Sequence, residues 1–410
     1  MKTKNYWFSL KSHVYVEFKK DKMLLYNTQN GNSMKVIAKE AIALVTQMRE
    51  SENLGVIFLD KKQQMISEIR SFVQNVIELQ MGDLWDIKEN SQKPVRLFPI
   101  LNLQRDVDRL KEGNGNELLL GKDIIHYLLE VNIYLNDICD KSCSQCDKYY
   151  KQIHCCTCSN TRHELPAKYV NSVIEQIKYS QIGKINLLGG NIFKYKDIIK
   201  IHDSLNLLKN LVHCYIHYSN FEKAEFINSF YLELIVNFPI DEASFKNVWS
   251  QINKENTTIH FIIESDRQYL ETEKLIHQFG IEKYDIHPFF SGKNLNFFNK
   301  NIFIDEEDIL SKTLQMREVF RNQKLNSNFF GILFILPDGT VKANTDTENI
   351  GNIKDTNVLD LIYEEMLKNT AWRKVRDAQP CCDCVYQNIC PSPSNYEIAI
   401  GRPNLCHVKQ

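Results

Sequence analysis

Apolar side chains alternate at Val14, Val16 and Phe18, and again at Met23 and Leu25, on either side of the polar stretch 19–22. Such alternation puts one face of a strand on a core, so the segment reads as two short strands joined by a turn. Asn30-Gly31 supplies another turn, and "SMKVI" a third strand. The period then lengthens: Ile42, Val45 and Met48 share a helical face, and a second helical pattern runs over 61–79. Small strands followed by helices predict a winged-helix-like module over 1–90. Residues 91–124, where Gly113 and Gly115 interrupt the pattern, read as a linker.

From 125 to 300 the texture changes. "EVNIYLN", "KINLLGG", "VHCYIHYSN", "LELIVNFP", "TTIHFIIES" and "KYDIHPFF" are strand-length apolar runs, most of them separated by helical patterns such as "PAKYVNSVIEQIKYS". Repeated βα units imply parallel strands, because a parallel connection needs a crossover helix. The predicted fold class is α/β, with a partial (β/α)6 barrel whose ligands gather at the C-terminal strand ends. Residues 301–328 read as a bridging segment, and "FFGILFILPDGTVKAN" as a hairpin turning at Asp338-Gly339. That hairpin opens the last segment, 329–410. Its closing stretch, "CCDCVYQNICPSPSNYEIAIGRPNLC", is too poor in apolar residues to build its own core, so bound metal is the available staple.

Composition narrows the function. Apolar residues make up 43% of the 410 and charged residues 25%, with a formal net charge of −1. Nothing in that balance calls for nucleic acid or an anionic membrane. "MKTKNYWFSLKSHVYVEF" has no apolar signal-peptide core, and no uncharged run reaches spanning length, so a cytoplasmic location is expected. Thiols stay reduced there, and clustered cysteines then point to metal or redox chemistry. Of twelve cysteines, six lie in 139–158 and five in 381–406; Cys214 stands alone and reads as a buried small hydrophobe.

The first cluster begins "CDKSCSQC", with Cys139, Cys143 and Cys146 in C-x3-C-x2-C spacing just after the first βα strand. Four thiolates would saturate a zinc ion or an iron–sulfur cube; three can hold a cube and leave one iron open to chemistry. A zinc site recruiting His154, Cys155, Cys156 or Cys158 is the alternative reading of the same residues. The spacing and position resemble the radical S-adenosylmethionine (radical SAM) enzymes. The resemblance implies that the open iron of a [4Fe-4S] cluster is chelated by SAM, which is cleaved to a 5′-deoxyadenosyl radical that abstracts hydrogen from substrate. It further implies SAM-binding roles for Gly189, Gly190 and Asn191, which stand where the family has Gly-Gly-Glu. It implies the same for Ser219 and Asn220 after the third strand and for Asn237 at the end of the fourth. The sequence departs from the family at Gln145, usually aromatic, and at Asn191, usually acidic.

The tail resembles the SPASM extension of peptide-modifying radical SAM enzymes. Cys381-x2-Cys384-x5-Cys390 and Cys406 match the ligands of its outer auxiliary cluster. The inner cluster's thiolates are missing together: Asn344 and Ser394 occupy two of their positions. Two [4Fe-4S] clusters are therefore expected. Cys382 is left over, and a structural four-cysteine zinc site is the alternative. By its order of parts the chain resembles ribosomal-peptide maturases of Bacteroidales-type clusters, including their pseudo-radical-SAM members. The resemblance implies a precursor peptide held by its leader on 1–90, a reductant protein such as a flavodoxin or ferredoxin, and a thioether, carbon–carbon crosslink or epimerised residue as product. The alternative is an inactive protein that binds leader peptide and a partner maturase. No catalytic acid or base is singled out, and "GNELLLGKD" fails as a phosphate loop because its spacing is wrong.

Overall fold

The computed structural model describes residues 4–89, 92–99, 122–139, 141, 143, 145–155 and 162–408. The "LNLQRDVDRLKEGNGNELLLG" connector, Cys156 and Cys158 lie outside the described residues. The front segment contains β1 (Tyr6–Leu10), β2 (Val14–Lys19), β3 (Lys22–Asn27), β4 (Ser33–Val36), β5 (Ile57–Leu59) and β6 (Gly82–Asp86). They form two antiparallel three-stranded sheets, ordered β5-β1-β6 and β2-β3-β4. The β2–β3–β4 sheet and the helix Lys39–Met48 sit where the hydrophobic pattern puts them. The helical pattern over 61–79 is instead broken at Ile66, whose ψ of 117° is extended and separates Lys61–Met65 from Ser67–Glu78. The β5-β1-β6 sheet has no counterpart in the sequence reading.

The large sheet has nine strands in the order β12-β11-β10-β9-β8-β7-β13-β14-β15. Its first six in sequence are β7 (Glu130–Tyr134), β8 (Lys184–Leu188), β9 (Val212–His217), β10 (Tyr231–Asn237), β11 (Thr257–Ile263) and β12 (Tyr284–Pro288). All are parallel, and each pairs with the next in sequence. The fold is thus mixed α/β with a large parallel sheet, and each of the six strands overlaps a run that the apolar pattern marked, with β10 starting one residue earlier, at Tyr231. β13 (Ile332–Ile335) joins parallel to the free side of β7, followed by β14 (Thr340–Lys342) and β15 (Gly351–Asn352), both antiparallel. Gly339, at φ +89°, makes the β13–β14 turn where the sequence places it.

The two faces of this sheet differ. Val131, Ile133, Ile185, Leu187, Cys214 and Ile216 face outward and pack with the helices Ala167–Ile177, Ile198–Asn206 and Val358–Lys368 and with Trp372. Cys214 is fully buried, and burial pushes its thiol up to about 12, as befits a small hydrophobe. The inner face carries Glu130, Asn132, Lys184, Asn186, His213, Tyr215, Glu233 and His260. A parallel sheet is normally apolar on both faces, so a polar inner face marks where binding residues are held.

The front segment is not a separate body. Tyr15, Leu24 and Tyr26 of β2 and β3 are buried with Ile309, Val319, Val385, Tyr386 and Ile389, and Cys384 and Cys390 pack against the same cluster. Asn388 Nδ2 donates to Tyr15 Oη and to Glu17 Oε2, both at 2.9 Å. Residues of β2 and β3 thus form one wall of the tail. No helix among the described residues is long and apolar enough to cross a membrane.

Candidate functional site

The cysteine loop leaves the C-terminal end of β7, and its base is fixed by backbone pairing with the next strand. Gly190 N–H donates to Asn136 O at 3.0 Å and Asn191 N–H to Ile138 O at 2.6 Å, while Asn136 Nδ2 returns to Asn191 O at 2.9 Å. This close approach explains the glycines. A Cβ on Gly190 would lie 2.3 Å from Ile138 O, and one on Gly189 would lie 3.0 Å from Asn136 O.

Cys139, Cys143 and Cys146 are each partly buried. Cys146 opens the helix Cys146–Gln152, which is held from two sides. Gln152 exchanges hydrogen bonds with Phe290 O (3.0 Å) and Phe290 N (2.9 Å), and Thr345 Oγ1 donates to Tyr150 O at 3.2 Å. Cys143 packs against a buried apolar layer on the inner face: Tyr134, Tyr149, Cys155, Leu188, Tyr215, Ile235, Ile262, Phe289 and Phe334.

The other residues that the sequence singles out meet this loop at the same strand ends. Asn220 Nδ2 lies 3.7 Å from Cys139 Sγ. Ser219 and Asn237 are joined through His217, whose Nδ1 is 2.7 Å from Ser219 Oγ and whose Nε2 is 2.8 Å from Asn237 Oδ1. Sequence reasoning missed His217, although its place at the end of β9, between two marked strand ends, was a usable signal. Burial lowers its pKa below the usual histidine value, against the opposing effect of the hydrogen bond its Nε2–H donates to Asn237 Oδ1, so it is neutral at pH 7. Asn191 is buried, and its Oδ1 accepts from Phe193 N–H at 3.0 Å, capping the turn Ile192–Lys194.

Cys381, Cys384, Cys390 and Cys406 line one small pocket with Arg376, Tyr386 and Leu405. Burial pushes the Cys390 thiol up to about 12 and raises Cys381 and Cys384. Arg376 Nη1 is 3.9 Å from Cys381 Sγ, and its Nη2 is paired with Glu397 at 2.7 Å. A tetrahedral zinc site with Zn–S bonds of about 2.3 Å would bring its sulfurs within about 3.8 Å of one another. No three cysteine sulfurs among the described residues lie within 4.8 Å. Soft thiolate donors around the tail pocket suit an iron–sulfur cube or a zinc ion. Cys382 is partly buried, outside the residues that line this cavity.

Ser394 and Asn344, the two positions singled out in the tail for lacking a cysteine, are both held by hydrogen bonds. Ser394 caps the helix Asn395–Ile400 in a capping box with Glu397. Asn344, 1% exposed, donates through Nδ2 to Asn395 Oδ1 at 2.6 Å.

A scan against protein-family models finds no match, and a search of curated proteins finds none. Among solved structures the chain is similar to Streptococcus suis SuiB bound to S-adenosylmethionine, at 14% identity and a TM-score of 0.45, covering 97% of this chain and 98% of that one. It is also similar to BtrN in complex with AdoMet and 2-DOIA, at 10% identity and a TM-score of 0.29, covering 59% of this chain and 85% of that one.

Proposed function

We propose that the chain is a radical SAM enzyme of the SPASM type that modifies a ribosomally made precursor peptide. The observation that carries this reading is the meeting of the Cys139 loop with Gly190, Asn220 and the Ser219–His217–Asn237 chain at one end of a parallel sheet. Cys139, Cys143 and Cys146 would hold one [4Fe-4S] cluster, and Cys381, Cys384, Cys390 and Cys406 a second. When bound, the first would supply the electron that cleaves SAM to a 5′-deoxyadenosyl radical. Gly189 and Gly190 let the cysteine loop lie directly against the end of β8, which brings the loop to the other marked strand ends. Asn191, Ser219, Asn220 and Asn237 offer neutral polar contacts to an amino acid and a ribose. His217 positions Ser219 and Asn237 and, being neutral, adds no charge beside a sulfonium.

The peptide has two places to sit. β2 is an edge strand of its sheet among the described residues, and Val14, Glu17, Phe18, Arg49 and Phe98 line a groove of about 1000 Å³ along it. An extended leader could add there as a strand, held mainly by backbone hydrogen bonds. The segment to be modified would enter the inner-face pocket of about 750 Å³ lined by His154, Lys184, Tyr215 and Asn395. A reductant protein such as a flavodoxin or ferredoxin completes the partners.

One observation favours a second reading, an inactive relative that binds leader peptide and a partner maturase: the buried Asn191 oxygen is already engaged by Phe193 N–H. Anaerobic assay separates the two. Reduced, iron-reconstituted protein with SAM and a precursor peptide should release 5′-deoxyadenosine, and Cys143→Ala should stop it. No product above a cluster-free control would give the reading to the inactive relative.

A further inference from the structure

His260 on β11 and Asp285 and His287 on β12 share the inner face of adjacent strands. His260 Nδ1 lies 2.8 Å from His287 Nε2 and 3.8 Å from Asp285 Oδ2. Among the described residues this is the one set of three His, Cys, Asp or Glu donors gathered within 4.8 Å. We propose that these three residues bind a divalent first-row transition ion at a site separate from both cysteine clusters.

Two imidazoles and one carboxylate are the donor set of metal centres that keep coordination positions open. The residues behind them orient the donors. Glu233 Oε1 is 2.5 Å from His213 Nδ1, and its Oε2 is 2.7 Å from His260 Nε2. The Glu233 carboxylate thus accepts from His260 Nε2–H, which leaves the His260 Nδ1 lone pair facing His287 and Asp285. A carboxylate behind a ligating histidine is the usual outer partner of such ligands. Donors bound to one ion at about 2.1 Å stand about 3 Å apart, close to the His260–His287 separation. Asp285 must swing in slightly, and its side chain, 62% exposed, is free to do so.

Charge supports a cation. Glu130, Glu233 and Asp285 supply three carboxylates to this inner-face network, against the one ammonium of Lys184, whose Nζ is 3.0 Å from Tyr215 Oη. All three candidate ligands line the 750 Å³ pocket, so open positions would face whatever enters it. Ile262 and Phe289, two residues farther along from His260 and His287, belong to the apolar layer beneath the cysteine loop. At a rise of about 3.3 Å per residue, that layer sets the site about 7 Å below the mouth.

The test is equilibrium dialysis of the full chain against Zn²⁺, which these donors bind more tightly than iron(II). Wild type is compared with the Asp285→Asn/His287→Asn double variant. Zinc taken up by cysteine is common to both proteins, so the difference counts this site alone. Wild type should hold one more zinc per chain, with nitrogen and oxygen but no sulfur neighbours in the X-ray absorption difference spectrum. Asp285→Asn alone, at an exposed position that leaves folding intact, should weaken that zinc about tenfold or more. Equal zinc contents, a sulfur-bound extra zinc, or unchanged affinity in Asp285→Asn would overturn the proposal and leave the trio as a hydrogen-bonded relay.

Discussion

Three glycine-to-alanine substitutions graded by contact distance test how the base of the cysteine loop is built. At Gly183 a new Cβ would meet only Leu129 O, at 3.6 Å, which is ordinary contact; at Gly189 it meets Asn136 O at 3.0 Å, and at Gly190 it meets Ile138 O at 2.3 Å and Ile138 C at 2.5 Å. Relieving the last clash to 3.4 Å requires a backbone shift of about 1 Å at Ile138, next to Cys139. That shift strains two backbone hydrogen bonds, Gly190 N–Asn136 O and Asn191 N–Ile138 O. Overpacking costs about 1–3 kcal/mol and each of the two weakened hydrogen bonds about 1 kcal/mol, so Gly190→Ala should destabilise by about 3–5 kcal/mol. Gly189→Ala should fall between, and Gly183→Ala should stay within about 0.5 kcal/mol of wild type. Iron content after reconstitution, read beside denaturant unfolding, distinguishes a local from a global effect. Gly190→Ala should lose about half of the iron, the share proposed for Cys139, Cys143 and Cys146, whereas Gly183→Ala should lose none. Equal iron and equal stability in Gly190→Ala and Gly183→Ala would refute the close approach as the reason for the glycine pair.

Other consequences are as direct. Leu24→Ala removes a fully buried side chain between the front segment and the tail; it should cost about 2–5 kcal/mol and open 1–89 to limited proteolysis. Cys384→Ala should lose about half of the iron and, because Cys384 packs in the same cluster, also raise proteolysis of the front segment; unchanged digestion would contradict the shared wall. His217 has a pKa depressed by burial, so the unfolded chain takes up its proton first as pH falls. Its stabilisation is complete above the usual value near 6.5 and is lost as pH drops from there toward the lower folded-state value. Unfolding free energy should therefore decline more steeply below pH 6.5 in wild type than in His217→Gln.

The parallel strands were legible because each is a short apolar run with flanking turn or helix signals, and β7 to β12 pair in the order of the chain. The hairpin at Asp338-Gly339 was legible for a local reason too, since its turn residues name it. What escaped depends on partners far away in sequence. Tyr6–Leu10 pairs with Gly82–Asp86, so the strand has no local signal beyond five residues. The packing of Tyr15 against Asn388 spans 373 residues. The inner-face network was invisible because each of His213, His260 and His287 is isolated within its own strand, and only strand pairing brings them together. Ser394 and Asn344 read in sequence as missing ligands. In the fold, one caps a helix and the other hydrogen-bonds to the next residue of that helix. Ile66 breaks a helical pattern whose apolar period runs on unbroken, because backbone geometry and not hydrophobicity ends the first helix there.

The proposed function stands or falls on whether Cys139, Cys143 and Cys146 hold an iron–sulfur cluster with one iron open to SAM. The direct measurement is electron paramagnetic resonance of the reduced Cys384→Ala/Cys390→Ala variant, in which the tail cluster cannot form, recorded with and without SAM. A single [4Fe-4S]⁺ signal should appear, change shape when SAM is added and disappear in Cys143→Ala. No cluster signal in that variant, or a signal indifferent to SAM, would contradict it.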